Sequence, residues 1–292
     1  MKRIFGNKWM YLGLVFLFLL PVQAFADAQP GDRFITLGED LTEEQKNMLL
    51  SEMGADDHEE IITVSNEEEH KYLGNYISKR LIGTKALSSS SITLGEKASG
   101  LKVETKNITW VTKEMYVNAL ITAGVKDAEI YVTSPIPVSG TAALTGILKA
   151  YEVSSDQAIP EDVKQAANEE MVKTAKLGDE IGTEEATALM TKIKQEMVKN
   201  PPETEADLRA LIESAAKELG ITLNEEQIQS LLDLFNKLKE LNIDWNQVGE
   251  QLNKAKEQLD AFLNSEEGQT FLQKLKEVFA SLIDAIAALF KG

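Results

Sequence analysis

Residues 41–57, LTEEQKNMLLSEMGADD, return in outline as residues 111–127, VTKEMYVNALITAGVKD. At an offset of 70, Thr42 matches Thr112, Glu44 matches Glu114, Leu50 matches Leu120, Gly54 matches Gly124 and Asp57 matches Asp127. EIITVS (60–65) then matches EIYVTS (129–134) at an offset of 69, and upstream ITL (35–37) corresponds to ITW (108–110). A chain that repeats such a block builds the same local structure twice. Each copy reads as strand, threonine cap, amphipathic helix, glycine stop, strand and second helix. Thr42 with Gln45 has the capping-box spacing, and Gly54 and Gly124 suit the left-handed position after a helix end. A helix placed between two strands suits parallel neighbours. We therefore expect one α/β domain over residues 33–153, with a central sheet and helices on its faces. The segment between the copies, SSSSITLGEKASGLKVETKN (88–107), reads as a hairpin or exposed loop with short strands.

Composition changes near residue 155. Beyond it the chain is rich in Glu, Lys, Gln, Leu and Ala with almost no β signal, a pattern of helices. Spans of 160–175, 183–199, 204–219, 224–241, 245–263 and 266–290 are expected. Pro201-Pro202 divides two of them, and Asn224 with Gln227 is another cap pattern. In the last span Phe271, Leu275, Val278, Phe279, Leu282, Ile283, Ile286, Leu289 and Phe290 form a wide apolar stripe. The domains expected are thus a signal peptide (1–26), a duplicated α/β domain (27–155) and an all-α helical domain (156–292).

The N-terminal reading rests on Lys2, Arg3 and Lys8 ahead of LGLVFLFLLPV, followed by Ala24-Phe25-Ala26, the small residues that a signal peptidase reads. The apolar run is about half of the ~20 residues a membrane span needs. An exported chain starting at Asp27 is expected. Its 27 basic and 47 acidic residues give −20, against −17 for the whole chain. Such a charge repels nucleic acid and anionic lipid heads, so no nucleic-acid partner is implied. The chain has no cysteine, which excludes disulfides, thiolate catalysis and thiolate metal sites.

Few motifs carry chemistry. His58 and His70 lie in DDHEE and EEEH without a second histidine four residues away, and they read as solvated acidic surface. NIDWNQVGEQLN (242–253) has the alternating oxygens of a calcium loop, but Gln247 and Asn253 stand where glycine and glutamate are needed, so Asp244 reads better as a helix cap. No metal and no cofactor are implied. No nucleophile elbow, phosphate loop or dinucleotide fingerprint is present. PIPVSGTAALTG (135–146) remains. It follows a strand, Ser139 or Thr141 is placed to cap the helix running to Tyr151, and Gly140, Ala142, Ala143 and Gly146 allow close packing on a sheet. The exposed amides of such a start also favour an anion, which makes Ser139, Gly140 and Thr141 candidate ligand-binding residues.

GDRFITLGEDLTEEQK, EEHKYLGNYI, NITWVTKEMYVNALITAGV and PVSGTAALTGILKAYE together make the chain similar to the Bacillus YpuA-like family of exported Firmicutes proteins of unknown function, over roughly residues 31 to 290. The resemblance implies a secreted or envelope-associated protein and carries no catalytic residues. In IGTKALSSSS (82–91) lysine stands at Lys85 against the arginine usual in that family. If position 85 binds a ligand, charge is kept and bidentate recognition is lost. Taken together, the chain reads as a non-enzymatic extracytoplasmic binding module for an unknown cell-wall or envelope component. The alternative is a hydrolase acting on an envelope polymer through paired carboxylates, of which no pair is recognisable. The last apolar stripe suits packing in the helical half. Membrane-surface contact is its other use, though Glu266, Glu267, Glu277 and Asp284 dilute the basic face that such helices carry. Export is checked directly. Mass spectrometry of secreted protein should find Asp27 at the N-terminus, and a retained Met1 or an end before Phe25 would refute the processing site.

Overall fold

The computed structural model describes residues 29–56, 59–155 and 157–264. The elements in chain order are β1 (Arg33–Gly38), α1 (Glu43–Met53), β2 (Glu60–Val64), α2 (Asn66–Leu73), α3 (Lys79–Ile82), β3 (Ser89–Leu94), β4 (Leu101–Thr105), α4 (Lys113–Thr122), β5 (Ala128–Thr133), α5 (Thr141–Ser155), α6 (Glu161–Ile181), α7 (Thr183–Lys199), α8 (Glu205–Glu218), α9 (Glu225–Glu240) and α10 (Trp245–Asn264). A mixed five-stranded sheet is thus followed by a run of helices, as expected. The final apolar stripe lies outside the described residues, as do His58 and the signal segment. Among the described residues, no helix is long and apolar enough to cross a membrane.

The repeat is visible in the caps. Thr42 Oγ1 accepts from Gln45 N while the Gln45 side chain accepts from Thr42 N, a complete capping box. Thr112 Oγ1 accepts from Met115 N at the start of α4. Gly54 and Gly124 follow the two helices with φ of 65° and 80°. Asn224 and Gln227 form the same reciprocal box on α9, and Asp244 Oδ1 accepts from Asn246 N and Gln247 N to start α10.

The sheet order is β2-β1-β3-β5-β4. β1 pairs parallel with β2 and β4 parallel with β5, while β3 lies antiparallel between the two pairs. Here two expectations are corrected. The strand of the second copy that corresponds to β1 is 101–105, not 108–110. Phe34 stands opposite Glu60 as Lys102 stands opposite Glu129, whereas Ile108 makes only an isolated bridge to Val138. Residues 88–107 are likewise no exposed hairpin, because β3 is the middle strand of the sheet. Its serines read as loop composition, yet Ser89, Ser90 and Ser91 are buried. Two of their hydroxyls are engaged inside the fold: Thr36 Oγ1 and Ser90 Oγ lie 2.6 Å apart, and Ser89 Oγ accepts from Gly38 N.

Small side chains suit that region of the sheet because α5 comes close. A Cβ at Gly146 would lie 2.7 Å from Thr36 Oγ1 and 3.0 Å from Val64 Cγ2, so the helix backbone rests on β1 and β2 where only glycine fits. α4 and α5 share the core built on Ile92, Val103, Ile130 and Val132. α1 covers the other face, packing Leu49 and Met53 on Ile35 and Leu37.

The core does not stop at residue 155. The cluster that holds the strands also includes Val163, Ala167, Met171 and Ala175 of α6 and Val248 and Leu252 of α10. A second cluster joins α7, α8 and α9 around Leu189, Ile193, Ile212 and Phe235. Leu241, Ile243 and Trp245 pack against both clusters. Residue 155 therefore marks a change of secondary structure within continuous apolar packing.

At the junction sits an ion pair with no exposure on either side. Lys194 Nζ lies 2.5 Å from Glu170 Oε1. The ammonium also donates to Asn118 O at 2.7 Å, and Glu170 Oε2 accepts from Thr122 Oγ1 at 2.5 Å. The pair thus ties α6 and α7 to α4. Burial pushes the Glu170 carboxyl up and the Lys194 ammonium down, each opposed by its partner. Breaking such a pair strands a buried charge. Lys194→Met should lower the free energy of unfolding in urea by about 3–5 kcal/mol. Adding Glu170→Gln, which still accepts from Thr122, should restore at least half. Equal losses in the single and double variants would show that shape, not charge, holds this junction.

Candidate functional site

The two copies of the repeat part company after their second strands. In the first, Ser65 follows β2 directly and caps α2, its Oγ accepting from Glu68 N while the Glu68 side chain accepts from Ser65 N. In the second, the matching Ser134 is followed by Pro135–Gly140 before α5 begins. Those six residues move the start of α5 away from the end of its strand and bring it beside α2. The result is a cleft of about 320 Å³ lined by Glu69, residues 81–85, Leu87, Ser88, Val138, Ser139, Thr141 and Ala142. It lies past the carboxyl ends of β1, β2 and β5, the edge where open α/β sheets receive ligands.

Three of the four residues picked out from the sequence line this cleft: Lys85, Ser139 and Thr141. Lys85 is exposed and Thr141 is buried. The fourth, Gly140, plays another part. Its φ is 93°, and a Cβ there would lie 2.4 Å from Ile108 Cγ2 and 2.6 Å from the Tyr116 hydroxyl. The space where its Cβ would lie is filled by the side chains of Ile108 and Tyr116. Tyr116, fully buried, donates to Gly140 O at 2.5 Å and pins the turn. Burial pushes its phenol far above the ordinary value, so it stays a donor.

The hydroxyl caps expected at 139 and 141 are also corrected. Ser139 Oγ lies 3.2 Å from Thr141 Oγ1, and Thr141 Oγ1 donates to Glu69 Oε1 at 2.5 Å. The Thr141 hydroxyl is directed at the Glu69 carboxyl, and among the described residues no helix amide donates to Ser139 Oγ or Thr141 Oγ1.

Glu69 is the residue that the sequence reading missed. EEEH reads as solvated surface, yet Glu69 is 1% exposed. The signal was present in helical spacing: Ser65 with Glu68 sets the start of α2, and Glu69 then shares a face with Tyr72 and Leu73, three and four residues on, both buried. Its Oε2 accepts from Asn66 Nδ2 at 3.3 Å. Burial pushes the Glu69 carboxyl up to about 7, against the hydrogen bonds from Thr141 and Asn66 that hold it down. Strong perturbation in a cleft is a mark of functional sites. His70 is turned away, with Nε2 3.1 Å from Gly83 O. Among the described residues, no group of three or more His, Asp or Glu could hold a metal ion. Glu69 is the one acid among the described residues lining the cleft.

The raised carboxyl has a consequence for stability. The folded chain keeps a proton on Glu69 between the ordinary value of 4.5 and about 7, where the unfolded chain has released it. That contribution is complete below 4.5 and is lost as pH rises through about 7. The loss amounts to roughly 3 kcal/mol. Glu69→Gln removes it, so urea unfolding of both proteins on either side of this window should show the variant gaining on the wild type as pH rises. A difference that does not change with pH would contradict the raised carboxyl.

Residues 37–255 match the family model described as a protein of unknown function, DUF1002. Among curated proteins, the chain is 53% identical over 292 residues, the whole of both chains, to the uncharacterized protein YpuA of Bacillus subtilis (strain 168). No solved structure matches. The chain belongs to the DUF1002 family of proteins of unknown function.

Proposed function

We propose that this protein is an extracytoplasmic binding module, associated with the cell envelope, that uses the cleft between residues 81–88 and 138–142 to hold an envelope component. The observation carrying this reading is the convergence at one sheet edge of Lys85, Ser139 and Thr141 with the buried Glu69. Hydroxyls, an acid and a cation on a partly apolar wall of Leu81, Leu87 and Val138 are the mixture that orients a small polar group. The signal-like N-terminus and the acidic net charge of −17 support an exported chain. Hydrolysis of a polymer through paired carboxylates needs a second carboxylate beside Glu69, and the described residues lining the cleft include none, so binding is the reading favoured.

The test uses the full exported chain and washed cell-wall and membrane fractions. Thr84 is exposed on the cleft wall, and Thr84→Trp should fill the cleft without touching the core. Co-sedimentation with an envelope fraction is expected for the wild type and should be lost in Thr84→Trp at unchanged thermal stability. No co-sedimentation of the wild type, or equal co-sedimentation of both, would sink the proposal.

A further inference from the structure

One wall of the cleft continues a run of positive charge, of which Lys85 lines the cleft itself and Lys79 and Arg80 stand just before the lining residues. Lys79, Arg80 and Lys85 are all exposed and occur within seven residues, KRLIGTK. None of them is paired with a carboxylate among the described residues, although acids outnumber bases 47 to 30 in this chain. Other cations nearby are taken: Lys71 pairs with Glu161, Lys149 with Glu68, and Lys164 with Glu152 and Glu161. In a protein so rich in acid, three neighbouring cations unpaired among the described residues leave a local positive field.

Inside the cleft a second group waits. Ser88 lines the wall, is 6% exposed, and its hydroxyl has no partner among the described residues. A hydroxyl that lines a cleft and is used by no neighbour is available to donate to a ligand's acceptor. Ser89 and Ser90, next in the same run, are both engaged with the sheet, so Ser88 is set apart by facing the cleft. Thr141 and Ala142, the first two residues of the 15-residue α5, line the same space, and the first amides of a helix are donors without intrahelical partners.

We propose that the cleft takes a phosphate group of an envelope component, held by the charges of Lys79, Arg80 and Lys85, the Ser88 hydroxyl and the first amides of α5. This rests on the reading of the cleft as a binding site and names its ligand class. Lysines act on phosphate as point charges and need no bidentate fit. A carboxylate at Glu69 opposes an anion, but its two oxygens are turned to Thr141 and Asn66, and burial favours its neutral form. The phosphate can belong to a wall polymer or to a lipid head, and the two sources are separated by the probe.

The experiment follows backbone amides of residues 83–88 and 139–143 by NMR in the full exported chain. Inorganic phosphate, glycerol 3-phosphate, acetate and glycerol are titrated in turn, and phosphatidylglycerol vesicles are added separately. Phosphate and glycerol 3-phosphate should shift these amides, acetate less and glycerol not. Lys85→Ala should weaken glycerol 3-phosphate by about tenfold, the scale of one charge-assisted contact. Ser88→Ala should weaken it too, while Lys97→Ala, a cation on another loop, should leave it unchanged. Equal weakening by Lys97→Ala, or acetate matching phosphate, would overturn the assignment of phosphate to this cleft. Shifts with glycerol but not with phosphate would overturn it while leaving the cleft as a binding site. No shift with any probe, in a chain whose sedimentation with envelope fractions is still lost on Thr84→Trp, would also remove phosphate as the ligand. No shift and no sedimentation would remove both readings. Vesicle binding that competes with glycerol 3-phosphate would place the group on a lipid, and vesicles without effect would place it on a soluble or wall-borne chain.

Discussion

Two opposite charges with no exposure, Lys194 and Glu170, meet where three helices cross. The cost of bringing them out of water is met only by their mutual contact and by Thr122 and the Asn118 carbonyl. This requirement fixes more than two side chains. Thr122 and Asn118 belong to α4, which lies on the sheet, whereas Glu170 and Lys194 belong to α6 and α7. A shift of the helical half along the sheet would separate them. Asn118 is held further by Thr191, whose hydroxyl lies on α7. Directional polar contacts thus set the position that apolar packing of Met115, Ala167 and Met171 would allow to slide.

A different constraint governs the opposite end of the sheet. Gly146 lets α5 rest on Thr36 and Val64, and such proximity is compatible only with small side chains beneath it. The buried serines of β3 meet that requirement, and Ser89 and Ser90 exchange their hydrogen bonds within the sheet. Ser88, one residue before the strand, has the same chemistry but no sheet neighbour to satisfy it. The composition that allows a helix to sit close thereby leaves a free hydroxyl at the sheet edge.

Much of this was legible in the residues, and the failures have physical causes. Caps and helix stops at Thr42, Gly54, Thr112, Gly124, Asn224 and Asp244 depend on local geometry, so short patterns suffice. β3 was invisible because SSSS signals loop by composition, and only a helix brought from far along the chain makes small polar residues suitable for a central strand. β4 was displaced because ITW resembles ITL more than LKVET does, although register pairs LKVET with the second strand. In the cleft, Lys85, Ser139 and Thr141 come together through residues distant in sequence. Glu69 went unrecognised because three consecutive glutamates suggest solvent, while the helical phase of Tyr72 and Leu73 assigns one of them to the interior. Gly140 reads as a residue that allows close packing, and Ile108 and Tyr116 indeed stand where its Cβ would be; its spacing alone does not say what occupies that space.

Ser65 and Ser134 occupy the same place in the two copies, and their fates differ. Ser65 still starts a helix. Ser134 is buried, and its hydroxyl has no partner among the described residues. Pro135–Gly140 now separate it from its helix. The internal match sets two equivalent strand-to-helix corners in one sheet, and only one of them works as a corner. The other is six residues longer, and its serine is a cap with no helix to start.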